Sequence, residues 1–176
     1  MSATSIQHKS EAPKKLNFAV ITCSTSRYRL LQKDGKLDDP SGDKIVEKIK
    51  DAGYNVTFRR IVPDEKDVIQ HTVMKALKSR KVDIIIMCGG TGISPKDVTI
   101  EAIKPMLDKE IDGFGEIFRF ISYQEIGSSA LLSRALAGTC KGKVVFCIPG
   151  SPQSVALSLE RLILPEAAHI LKHTRE

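Results

Sequence analysis

The run Cys88-Gly89-Gly90-Thr91-Gly92-Ile93-Ser94-Pro95-Lys96-Asp97-Val98-Thr99 carries residue types suited to chemistry on an anion. Three glycines within four residues open backbone conformations closed to other residues. They aim several N–H groups at one spot and let a phosphate approach with no Cβ in the way. No G-K-[ST] follows, and the G-x-G-x-x-G dinucleotide fingerprint is absent, so neither of those phosphate sites is indicated. The same residues support a structural reading, in which the glycines make a tight turn and Ser94, Pro95 and Asp97 form a capping box with proline at the first helical position. The pattern leaves both open. Pro149-Gly150-Ser151-Pro152 is a second turn of this kind, with Ser151 foremost a helix N-cap ahead of Pro152. Val62-Pro63-Asp64-Glu65 supplies a third loop. Asp64 alone reads as a cap. Asp64 and Asp97 facing one anion site would repel a phosphate unless a divalent cation lay between them, and that pairing implies Mg2+.

These loops need a scaffold that brings them to one edge. Short β-branched runs alternate with helix-period stretches: a strand at Phe18–Cys23, a helix over Ser41–Ala52 ended by Gly53, a strand at Tyr54–Val62, a helix over Lys66–Arg80 and a buried strand at Val82–Met87. Helical patterns over Ile100–Leu107, Gly113–Ile126 and Ser129–Ala137 lead to another buried strand, Val144–Ile148. A last helix over Ser151–Leu171 should end or kink near Leu164 because of Pro165. Continuous apolar strands between helices predict an α/β fold, a three-layer α/β/α sandwich with a mostly parallel sheet. Ligands of such sheets bind at the carboxyl ends of the strands, where all three loops lie.

The chain of 176 residues fits one domain, expected over residues 16–176. Residues 1–15 are polar and aperiodic and read as a disordered tail. Cys23, Cys88, Cys140 and Cys147 have no C-x-x-C pairing, so buried, reduced thiols are expected rather than zinc or disulfides. His8, His71, His169 and His173 form no evident cluster, with His173 read as tail, and none is expected to be catalytic. Lys and Arg outnumber Asp and Glu by 27 to 21, which favours anionic ligands. The basic residues are dispersed and aromatics make up only 5%, so no nucleic-acid partner is expected. No apolar run is long enough for a membrane span, and a cytoplasmic protein is expected.

The run Gly89-Gly90-Thr91-Gly92-x-Ser94-Pro95-x-Asp97-Val98-Thr99-x-Glu101-Ala102 resembles the signature of the MoaB/MogA molybdenum cofactor biosynthesis family. So do Val62-Pro63-Asp64-Glu65, Gly113-Phe114-Gly115-Glu116, Ser133-Arg134 with Ala137-Gly138, and Pro149-Gly150-Ser151-Pro152, in that order along nearly the whole chain and closest to the MoaB branch. The resemblance implies Mg2+-dependent adenylylation of molybdopterin, with ATP as co-substrate, giving adenylyl-molybdopterin and pyrophosphate. It also implies a homotrimer or homohexamer, with contact to other cofactor-biosynthesis proteins, and activity that stops at the adenylate because no molybdate-inserting domain is present. Carried over position by position, Asp64 and Asp97 match the catalytic acids and the Mg2+ ligands. Gly89, Gly90, Thr91, Gly92 and Ser94, with Gly150 and Ser151, match the phosphate- and pterin-binding turns. Ser24 and Ser41 complete the set as nucleotide-binding candidates. The chain departs from the pattern at Ser24-Thr25-Ser26-Arg27, which lacks an acid, and at Asp112, where proline is frequent. The alternative is a non-catalytic molybdopterin-binding or scaffold protein of the same pathway.

Overall fold

Every residue of the strand Ile84–Cys88 is buried, and its neighbours show why. Ile84, Ile86 and Cys88 belong to one core cluster with Phe18, Val20, Val144, Phe146 and Ile148. Ile85 and Met87 belong to a second, with Ala19, Ile21, Cys23, Val145 and Cys147. Successive strand side chains point to opposite faces, so apolar residues in both phases require cover on both sides. The computed structural model, which describes residues 13, 15–35 and 38–176, supplies that cover. The expected tail lies outside the described residues except at Pro13 and Lys15.

The sheet comprises β1 (Asn17–Cys23), β2 (Asn55–Val62), β3 (Ile84–Cys88), β4 (Lys109–Glu110), β5 (Leu136–Cys140) and β6 (Lys143–Ile148), in the order β2-β1-β3-β6-β5-β4. The pairs β1/β2, β1/β3 and β3/β6 are parallel, whereas β5 runs antiparallel to β6 and to β4. The helices are α1 (Thr25–Asp34), α2 (Pro40–Asp51), α3 (Lys66–Lys78), α4 (Thr99–Ile103), α5 (Asp112–Ile126), α6 (Pro152–Ser158) and α7 (Leu164–Arg175). Ile45 and Ile49 of α2, Phe114 of α5, Val155 of α6 and Ala167 and Leu171 of α7 cover one face. Ile69, Val73, Ala76 and Leu77 of α3 and Ala102 and Ile103 of α4 cover the other. The result is the expected single-domain α/β/α sandwich. Its connections run from β1 to β2 on one side and then to β3 on the other, so the topological switch point lies between the carboxyl ends of β1 and β3.

Three expectations are corrected. Ser129–Ala137 is not a helix: Gly127, at φ 60° and ψ −143°, ends α5 in a conformation open to glycine. A 3-10 segment over Gly127–Leu132 follows, and Leu136 already belongs to the antiparallel strand β5. Pro165 does not end the last helix. A π-helical turn over Leu159–Ile163 comes before it, so Pro165 sits in the first turn of α7, where its missing N–H costs no bond. The histidines do form a pair: His169 and His173 both lie on α7, with their Nε2 atoms 3.0 Å apart. All four cysteines are free and buried, as expected. Among the described residues, no helix is long and apolar enough to cross a membrane.

Candidate active site

The glycine loop leaves β3 through two residues in the left-handed region, Gly89 at φ 94° and Gly90 at φ 62°. At Gly89 a Cβ would stand 2.5 Å from the Cys23 carbonyl oxygen that ends β1, and Gly150 lies close on another side, its own Cβ position 3.3 Å from the Gly89 Cα. The Gly89 N–H donates to the Ile148 carbonyl at 3.0 Å. Three strand ends thus meet with backbone against backbone, which only glycine permits. Buried Thr99 draws the loop carbonyls inward, its Oγ1 donating to Gly89 at 2.8 Å and its N–H to Gly90 at 2.9 Å. Arg134 Nε donates to the Thr91 carbonyl at 2.8 Å. With these carbonyls engaged, the N–H groups of Gly90, Thr91, Gly92 and Ile93 donate to no group among the described residues. That is the electronic arrangement of an anion cradle.

Both acids reach this loop. Asp64 follows β2, and its Oδ2 accepts the Thr25 N–H and the Thr25 hydroxyl, each at 2.8 Å. The Asp64 N–H in turn donates to Thr25 Oγ1 at 2.9 Å, a reciprocal clamp between the ends of β1 and β2. A Cβ at Gly90 would meet Asp64 Oδ1 at 2.9 Å, so the unclamped oxygen faces the loop. Asp97 approaches two residues further along: a Cβ at Gly92 would lie 2.7 Å from its Oδ2, which accepts the Ser94 N–H at 2.9 Å. The capping-box reading does not describe this turn, because α4 begins only at Thr99 and its N-cap is Val98. Asp97 closes a turn of the loop itself and keeps a second carboxylate oxygen.

The second turn is tied on beside the first. Ser151 caps α6, accepting the Ser154 N–H at 3.2 Å, and the Ser41 hydroxyl donates to the Gly150 carbonyl at 2.8 Å. Ser24 caps α1, its Oγ accepting the Arg27 N–H at 3.4 Å while its own N–H donates to Val62 at 2.9 Å. Ser24, Ser41 and Ser151 therefore hold the rim of the crevice by bonds within the protein.

Three residues that matter here, Thr25, Thr99 and Arg134, were not among the sequence candidates. Arg134 binds Glu101 through both guanidinium ends, at 2.6 and 3.2 Å, and this contact holds the Glu101 carboxyl below its usual range. Arg134 also lines two adjoining depressions. One, of about 260 Å3, is bounded by Gly92, Ser94, Asp97 and Glu101; the other, of about 370 Å3, by Lys104, Glu116 and Arg119. Burial pushes the Cys23 and Cys88 thiols up to about 12, and burial raises Cys147 as well, so the thiols under the loop are packing groups rather than nucleophiles.

Residues 19–169 match a family model described as "Probable molybdopterin binding domain". A relative from Bacillus cereus, named molybdenum cofactor biosynthesis protein B, is 47% identical over 171 residues, 97% of this chain and 96% of that protein. A relative from Pyrococcus furiosus, named molybdopterin adenylyltransferase, is 44% identical over 174 residues, covering 97% and 98% of the two chains. The crystal structure of a tungsten cofactor synthesizing protein, also from Pyrococcus furiosus, superposes with a TM-score of 0.82 at 42% identity, covering 94% of this chain and 100% of that one.

Proposed function

The chain belongs to the molybdopterin-binding domain family of cofactor biosynthesis, and on that premise we propose that it is a molybdopterin adenylyltransferase working at the glycine loop. The terminal phosphate oxygen of molybdopterin bonds to the α-phosphorus of ATP, the bond from that phosphorus to the bridging oxygen of the β-phosphate breaks, and pyrophosphate leaves. No redox partner is required.

Nucleophile and electrophile are both anionic phosphates, so the work of the protein is positioning and charge compensation. The single observation that carries the reading is the loop at the carboxyl end of β3: four successive N–H groups without protein acceptors among the described residues, with a carboxylate standing at Gly90 and another at Gly92. The N–H groups bind phosphate oxygens. Mg2+ fits the acids because each has an oxygen beyond its hydrogen-bonded one, and this ion commonly takes one or two carboxylates plus substrate phosphates. Held by Asp64 and Asp97, it supplies positive charge to phosphates that would otherwise repel one another. Thr25 fixes Asp64, Ser94 fixes Asp97, and Arg134 and Thr99 keep the loop carbonyls away from the incoming anions.

Incubation with molybdopterin, ATP and Mg2+ should release pyrophosphate and form adenylylated pterin. Pterin binding without pyrophosphate would leave the non-catalytic scaffold instead. The assembly we propose is a trimer or a dimer of trimers. Ile117, Phe120 and Tyr123 of α5 and Leu131 and Leu132 beyond it are exposed, an apolar area that a monomer has no use for. Light scattering at micromolar concentration should give a trimeric or hexameric mass, and a monomeric mass would overturn this. The site asks for no nucleic acid, and the chain is expected to act in the cytoplasm.

A further inference from the structure

Asp39 is a carboxylate with no exposed surface, near the carboxyl end of β1 and separate from the two acids of the glycine loop. Its Oδ2 accepts the Thr22 hydroxyl of β1 at 2.8 Å and Arg59 Nη2 of β2 at 3.1 Å, and its Oδ1 caps α2 by accepting the Gly42 N–H at 3.0 Å. Among the described residues, α1 and α6 also have side-chain caps, Ser24 and Ser151, and both are neutral hydroxyls. A hydroxyl would cap α2 equally well. A buried carboxylate in its place has to be paired, and Arg59 does this while its Nη1 binds Asp43 at 2.7 Å. Gly42 belongs to the same arrangement, because a Cβ there would strike the Asp39 carboxylate. One side chain therefore ties β1, β2 and the first turn of α2 together. Ile45 and Ile49 hold α2 on the sheet through apolar contacts, which have no direction, so the bonds of Asp39 fix where its first turn stands.

That turn reaches across to Pro149–Pro152. The Ser41 hydroxyl donates to the Gly150 carbonyl at 2.8 Å, and Lys44 Nζ donates to the Pro152 carbonyl at 3.2 Å. Gly150 packs in turn on Gly89, where the glycine loop begins. We propose that Asp39 is a positioning residue for the anion cradle, setting through Ser41 and the Gly150 turn where the N–H groups of the loop point. The inference rests on the reading of that loop as the phosphate site. Asp39 touches no substrate and supplies no metal ligand; its charge is spent on Arg59, and its effect reaches the loop through two backbone turns.

The test is a calorimetric titration of the full chain with pyrophosphate at fixed Mg2+, which reads the cradle without turnover. Ser41→Ala and Asp39→Asn should each weaken binding by about tenfold, the scale of one lost hydrogen bond. The double variant should be no weaker than the weaker single one, because both changes break one chain of contacts. Ser41→Thr, which keeps the hydroxyl, should restore affinity. In adenylylation the loss should appear in KM, with kcat nearly unchanged. Lys48→Ala is the control: it removes the 2.7 Å ion pair with Glu160 further along α2 and should leave pyrophosphate affinity as it was. Circular dichroism and thermal unfolding check that each variant folds, and Ser41→Ala carries the test if Asp39→Asn does not. Wild-type protein that binds no pyrophosphate overturns the reading of the loop and this inference with it. Wild-type binding that Ser41→Ala leaves unchanged, or that Lys48→Ala weakens as much, overturns this inference alone.

Discussion

The two ends of the parallel sheet are built on opposite terms. At the amino end the polar groups are closed off against one another. Asp83 accepts the Asn17 N–H at 2.9 Å, the Asn17 side-chain amide at 3.1 Å and Arg175 at 2.7 Å, and the Lys143 ammonium is buried against the carbonyls of Ser79 and Val82. At the carboxyl end the carbonyls of Gly89, Gly90 and Thr91 are engaged, while the N–H groups of Gly90, Thr91, Gly92 and Ile93 meet no acceptor among the described residues. A buried polar group left without a partner costs about 1–3 kcal/mol, so the first end is a fastening and the second is an arrangement kept for a ligand.

The largest expected effects come from the open end. Asp97→Asn and Asp64→Asn should each lower adenylylation by about 100- to 1,000-fold, with melting temperature and pterin affinity nearly unchanged. The double variant should be little worse than either single one, because both serve one centre. An Asp97→Asn protein that is destabilised yet fully active would reduce Asp97 to a turn-former. Gly90→Val comes next. Its Cβ would lie 2.4 Å from Thr99 Oγ1 and 2.9 Å from Asp64 Oδ1, at a φ of 62° that a branched residue resists. Pterin binding should weaken by about tenfold or more, with a loss of stability of about 1–3 kcal/mol, read by calorimetric titration and thermal unfolding. The smallest effect on chemistry belongs to the closed end. Asp83→Ala should cost about 2–3 kcal/mol of stability and leave turnover per folded molecule untouched. A change in kcat there would show that the two ends are not independent.

How much of this was visible in the sequence follows burial. The strands β1, β3 and β6 were legible because apolar, β-branched runs mark positions covered by helices, and β2, buried only at Ile61 and Val62, was legible from its alternation instead. The helix α1 was not, since it has no buried residue and so leaves no apolar stripe to read. The short edge strand β4 and the glycine-bearing β5 escaped for a related reason: Gly138 is there because a Cβ would strike Leu107 and the Lys109 carbonyl, a constraint set across the sheet. At the site, the glycines and the two aspartates were readable because their chemistry is local. Thr25 was not, because its meaning comes from Asp64, a partner 39 positions away.

The π-helical turn over Leu159–Ile163 also acts as a phase setting. One residue more or less in a helix rotates everything beyond it by about 100°. The wider turn therefore decides which stripe of α7 meets the sheet: Ala167 and Leu171 face inward, while His169 and His173 come round to the side where β4 and the β5–β6 turn stand. Removing a residue from that turn would leave the composition of α7 unchanged and yet swing the Ala167–Leu171 stripe about 100° away from the sheet, so its angular position is encoded upstream of the helix itself.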